Sequence, residues 1–154
     1  MKITEYSRPA LRFGMLFTSS TKGARLSRRI AVSRLTEWGY ATDTAELLIS
    51  ELATNAVTHC CVPQRWFLLR MDVHRHRAGP DTLRVEASDS CADHHPKPGT
   101  PTDEDESGRG LLLVDALATA WGSYTRSPEA GVGKTVWAEC VLETAQRASE
   151  ARPR

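Results

Sequence analysis

Apolar residues fall into two kinds of pattern along this chain, alternating runs of strand length and stripes at helical spacing. Residues 12–18 (RFGMLFT) place Phe13, Met15 and Phe17 on one face of a short strand. Ser19, Ser20 and Thr21 offer N-cap side chains, and Leu26, Ile30, Leu35 and Trp38 follow at near-helical spacing, with Gly39 to stop the helix. Arg25, Arg28, Arg29 and Arg34 lie mostly on the other side, as a solvated face would. After Thr42-Asp43-Thr44, a wider stripe of Ala45, Leu48, Ile49, Leu52, Ala53, Ala56 and Val57 predicts a second, more buried helix that ends before Pro63. Residues 66–73 (WFLLRMDV) and 82–87 (TLRVEA), joined by a turn at Ala78-Gly79-Pro80-Asp81, predict an antiparallel hairpin. Residues 88–108 hold Pro96, Pro98, Gly99, Pro101 and the acidic run 103–106. A loop this long inside a domain is unusual, and such loops often serve as lids. A third helix is predicted over 110–119, then strands over 121–125 and 132–142 joined by a turn at 128–133, then a polar tail that frays from Thr144 onward.

Strand, two helices, two strands, long loop, helix, two strands is a grouped order, not an alternating one. It predicts an α+β fold, a two-layer sandwich whose mostly antiparallel sheet carries helices on one face. The organisation expected is an N-terminal extension over 1–11, one domain over 12–142 and a polar tail over 143–154. With 154 residues, this is the size of one domain with a sizeable core.

Charge narrows the function classes. Lys and Arg number 20 against 19 Asp and Glu, so the net charge of +1 gives no global case for nucleic acid or an anionic membrane. The run Leu111-Leu112-Leu113-Val114 is far shorter than the ~20 residues that span a bilayer, and Glu5, Arg8 and Pro9 interrupt any signal-peptide core. A cytoplasmic protein is expected. The four cysteines, Cys60, Cys61, Cys91 and Cys140, contain no CxxC pair and read as reduced thiols, partly in the core. Cys60 and Cys61 beside His59, with His94 and His95, leave a metal or redox site as an alternative whose geometry the spacing does not fix.

Three segments carry candidate chemistry. In ELATNAV (51–57), Glu51 and Asn55 lie four residues apart on one helix face, and a carboxylate and an amide oxygen so placed can hold Mg2+ or orient a water. Asp89 stands where the chain leaves the second hairpin strand, and a carboxylate there can accept from an exocyclic amine. In SGRGLLLV (107–114), glycines meet a helix start, where free N–H groups and the positive dipole end can face phosphates. The sequence GVGKT (131–135) ends like a P-loop, but the first glycine of that pattern would fall on Pro128 and VWAECV alternates like a strand, so the P-loop reading fails.

Together, ELATNAV, ASDS at a strand end, SGRGLLLV and GKTVWAE resemble, in order and spacing, the Bergerat-type ATP-binding fold shared by histidine kinases, gyrase-type ATPases and a class of chaperones. The likeness covers roughly residues 12–142. It extends in particular to the small, free-standing anti-sigma-factor serine/threonine kinases and related regulatory ATP-binding proteins of actinobacteria. The resemblance implies ATP and Mg2+ as ligands, with Asn55 on the metal and Glu51 as general base or water-orienting carboxylate. It implies that Asp89 reads the adenine amino group and that Gly108, Arg109, Gly110 and Leu111 lie by the phosphates. Thr135 would help hold the adenine edge, and residues 90–107 would form the ATP lid. One departure matters: where the family supplies glycines after its Asp, this chain runs Ser90-Cys91-Ala92-Asp93-His94-His95-Pro96, which bears more on catalysis than on fold.

The function this implies is an ATP-dependent switch that binds a sigma factor and phosphorylates an antagonist protein on Ser or Thr, with no direct nucleic-acid or membrane contact. Members of that class often dimerise, and the first strand and helix would supply such a surface. Two alternatives stand beside it: a nucleotide-binding adaptor without phosphoryl transfer, and a Cys/His redox or metal sensor.

Overall fold

The computed structural model describes residues 8–58, 65–91, 106–127, 129 and 131–151. Its elements, in chain order, are β1 (Leu11–Thr18), α1 (Thr21–Glu37), α2 (Asp43–Thr58), β2 (Trp66–His74), β3 (Asp81–Asp89), α3 (Glu106–Leu117), β4 (Ala120–Thr125), β5 (Lys134–Leu142) and α4 (Ala145–Glu150). The five strands form one sheet in the order β1-β2-β3-β5-β4, and every neighbouring pair is antiparallel. This is the α+β sandwich expected from the grouped order of elements.

Alternation decides which side chains meet the helices. Phe67, Leu69, Met71 and Val73 of β2, Leu83, Val85 and Ala87 of β3, and Val136, Ala138, Cys140 and Leu142 of β5 are all buried, and they pack with the α2 stripe Ala45, Leu48, Ile49, Leu52, Ala53 and Ala56. Each fully buried Leu, Val or Phe contributes roughly 1.5–3 kcal/mol. The opposite face carries ions: Arg12 pairs with Asp72 at 2.9 Å, and Arg84 bridges Glu86 at 2.8 Å and Glu139 at 2.9 Å while lying 4.1 Å from the Trp137 ring centroid.

Three local expectations change. The buried stripe of α1 is Gly23, Ser27, Ala31 and Leu35, whereas Leu26 is 47% exposed and Ile30 and Trp38 are only partly covered. Small side chains win that face because the helix begins hard against β1: a β-carbon on Gly23 would lie 1.9 Å from the Thr18 carbonyl oxygen. Ser20 caps the helix by accepting the Gly23 N–H at 3.0 Å, as its position suggested. Helix α3 starts at Glu106, four residues earlier than the glycines indicated, and stops at Leu117. The stretch after Thr144 is polar but helical rather than frayed. Thr144 caps α4, forms a bridge with Tyr40, and is followed by an Ala145 N–H that donates to the Gly39 carbonyl at 2.9 Å.

The first residues of α2, the last residue of α3 and the C-terminal end of β5 line one cleft. That end of the sheet is closed by the Tyr40 hydroxyl donating to Asp81 at 2.5 Å. At the opposite end of the sheet β3 finishes at Asp89 and β5 begins at Lys134.

Candidate functional site

Glu51 and Asn55 project from α2 one turn apart, both half-buried. Burial pushes the Glu51 carboxyl above its ordinary value of 4.5, because the charged form loses hydration there. A carboxyl so placed holds a proton more strongly than an exposed one does. The Asn55 Oδ1 is a buried acceptor with no hydrogen-bond partner among the described residues. An orphaned buried acceptor costs about 1–3 kcal/mol, and such a group needs an explanation. A hard cation is one: Mg2+ takes one or two protein oxygens and completes its shell with water and phosphate oxygens. An unpartnered amide oxygen fits the metal: Asn55 would be its ligand, and Mg2+ would supply charge neutralisation on the phosphates.

At the end of β3, Asp89 is almost wholly buried. Its Oδ2 meets the Lys134 Nζ at 2.6 Å, and its Oδ1 accepts the Cys91 N–H at 2.8 Å. The Lys134 ammonium also lies 3.5 Å from the Cys91 carbonyl oxygen, and its side chain is fully buried. Removing one partner of such a pair leaves an uncompensated buried charge and costs about 3–5 kcal/mol. The register explains the meeting, since Asp89 and Lys134 are directly paired across β3 and β5. Thr135 pairs with Ser88 instead, and their hydroxyls lie 2.7 Å apart. Successive strand residues point to opposite faces, so Thr135 does not share the pleat of Asp89.

The expected P-loop lookalike resolves as a turn into a strand. Lys134 opens β5, preceded by Gly131 and Gly133 at φ 89° and 148°. Helix α3 brings Gly108 and Arg109 into its first turn and Gly110 into its second, with Leu111 partly buried after them. The N–H groups of the first three residues of a helix have no partner inside it, and Gly108, the third residue of α3, is among them.

A family model for the histidine kinase-like ATPase domain matches residues 17–139. The chain belongs to this ATPase-domain family. A search of curated proteins gives no significant match. Membership implies an ATP-binding regulatory function, usually with Mg2+. No helix of the described residues is long and apolar enough to cross a membrane.

Glu51 and Asn55 thus lie one turn apart on α2, Asp89 ends β3 against Lys134 of β5, and Gly108, Arg109 and Gly110 fall in the first turns of α3. Most of the expected lid, residues 90–107, lies outside the described residues, as do Cys60, Cys61, His59, His94 and His95 of the redox or metal alternative. Among the described residues no group of three or more His, Cys, Asp or Glu could hold a metal. The buried Cys140 thiol is pushed up to about 11 by desolvation, which makes it a poor nucleophile. Lys134 is the site residue that motif reading overlooks. Its signal was present: in KTVWAECVL, Lys134 is in phase with Val136, Ala138, Cys140 and Leu142, so alternation alone puts it on the core side.

Proposed function

We propose that this chain is an ATP-dependent anti-sigma regulator with serine/threonine kinase activity toward an antagonist protein. The observation that supports it most directly is the pair on α2, a desolvated carboxylate one turn from an unpartnered amide oxygen. A kinase needs such a pair, one group to take the acceptor hydroxyl proton and one to anchor the metal that accompanies ATP. In the transfer, a bond forms between the Ser or Thr Oγ and the γ-phosphorus while the bond from that phosphorus to the β–γ bridging oxygen breaks. The hydroxyl proton passes to Glu51, and ADP leaves with the bridging oxygen. Phosphorylation releases the antagonist and leaves the sigma factor captured.

The test is capture of partners from native cell extract with and without ATP-Mg, followed by incubation of the captured proteins with γ-labelled ATP. Label on Ser or Thr of a captured protein supports the kinase. Nucleotide-dependent capture with no label transferred identifies the adaptor instead, and capture indifferent to nucleotide removes both.

A further inference from the structure

A cleft of about 250 Å³ lies between α1 and α2. Its described lining is Arg25 and Arg28, one turn apart on α1, and Ser50 and Thr54, one turn apart on α2, with Thr21 and Ala24 beside them. Ser50 and Thr54 each precede Glu51 and Asn55 by one residue, which turns them about 100° around the helix, onto the side that meets α1. Two guanidinium groups and three hydroxyls thus face one space, with no carboxylate among the described residues that line it. Neither arginine is firmly held. Arg25 makes no ion pair among the described residues, and Arg28 reaches Glu46 only at 3.9 Å, with both side chains 42% exposed. An ion pair that open contributes little and yields easily to a better acceptor. Helix α1 carries Lys22, Arg25, Arg28, Arg29 and Arg34 against Glu37 alone, a local excess in a chain of net charge +1, and Glu37 lies by Arg34 at 3.6 Å.

We infer that this cleft is an oxyanion site for a dianionic phosphate, either free orthophosphate or the phosphomonoester of a phosphorylated peptide. One bidentate guanidinium satisfies the two oxygens of a carboxylate. Two guanidiniums flanked by hydroxyl donors match instead a group with three strong acceptor oxygens and a charge near −2. Arginine suits the task because its planar fork of donors stays charged at every physiological pH. The site stands apart from nucleotide binding, since it uses the α1 side of α2 and neither Glu51 nor Asn55.

The experiment is an NMR titration of orthophosphate, without Mg2+ or nucleotide, into the whole chain labelled with ¹⁵N and into Arg25→Gln/Arg28→Gln, with acetate at equal ionic strength as the control. Saturable shifts centred on Thr21, Arg25, Arg28, Ser50 and Thr54 are expected, with an affinity that falls at least about tenfold in the variant. The shift map of the unaltered protein decides the location whether or not the variant folds. A phosphoserine tripeptide run beside orthophosphate separates the sources: tighter binding of the peptide, lost in the same variant, points to a phosphorylated protein segment, and equal or weaker binding points to free phosphate. Shifts centred on Gly108 to Leu111 of α3, shifts that acetate reproduces, shifts that never saturate, or an affinity unchanged by the double substitution each overturn the assignment.

Discussion

Gly133 stands against Asp89 so closely that a β-carbon on the glycine would lie 1.9 Å from the Asp89 carbonyl oxygen, and 2.8 Å from the Arg126 Nη2. With φ at 148°, the same residue also occupies backbone space that L side chains rarely enter. The turn before β5 thus packs directly on the end of β3, and the position of Asp89 depends on it.

Gly133→Ala is expected to lower stability by at least about 2 kcal/mol, from backbone strain and overpacking together. Denaturant unfolding measures the loss, and nucleotide titration should show weakened binding in the same variant. A stability change within the noise would mean that β3 and β5 separate at little cost.

Glu51→Gln keeps the shape and removes the base. Nucleotide affinity should stay within about threefold, while phosphoryl transfer to the antagonist falls by roughly 10²–10⁴. Equal loss of binding and transfer would assign Glu51 to ligand binding instead.

The same carboxyl gives a pH signature in stability. Its folded-state pKa lies above the ordinary 4.5 because of desolvation, so the folded protein binds more protons than the unfolded chain in the window that opens at 4.5 and closes at the raised value. Stability therefore falls as pH rises through that window. The unfolding midpoints of the unaltered protein and Glu51→Gln, followed from pH 4 upward, should diverge across it in favour of the variant. Parallel curves would contradict the shift.

At the far end of the sheet, Tyr40 is buried and donates to the Asp81 carboxylate. Tyr40→Phe should cost about 1.5–3 kcal/mol, the range for a hydrogen bond to a charged group. It should leave nucleotide affinity unchanged, because Asp81 and Asp89 sit at opposite ends of β3.

Much of this fold is legible in the chain because burial there follows a period. The α2 stripe is apolar at nearly every third or fourth position, and the β2–β3 hairpin alternates cleanly, so both appear where patterning puts them. Helix α1 is less legible, since its contact face is built from Gly23, Ser27 and Ala31, residues chosen for close approach and silent on a hydrophobicity pattern. Helix α3 begins before its glycines, because Glu106 and Ser107 join the first turn and glycine need not mark a boundary. Glu51 and Asn55 stand out in sequence as a polar pair within an apolar stripe. The partnership of Asp89 with Lys134 depends on which strands pair and in what register, which one strand's pattern cannot reveal.

The most direct measurement of the central claim is ATP affinity, by calorimetric titration with and without Mg2+, in the unaltered protein and in Asn55→Ala. The account predicts that the unaltered protein binds ATP more tightly with Mg2+ and that Asn55→Ala loses that gain, about 10–100-fold in affinity. Mg2+-dependent affinity that survives the substitution unchanged would contradict it.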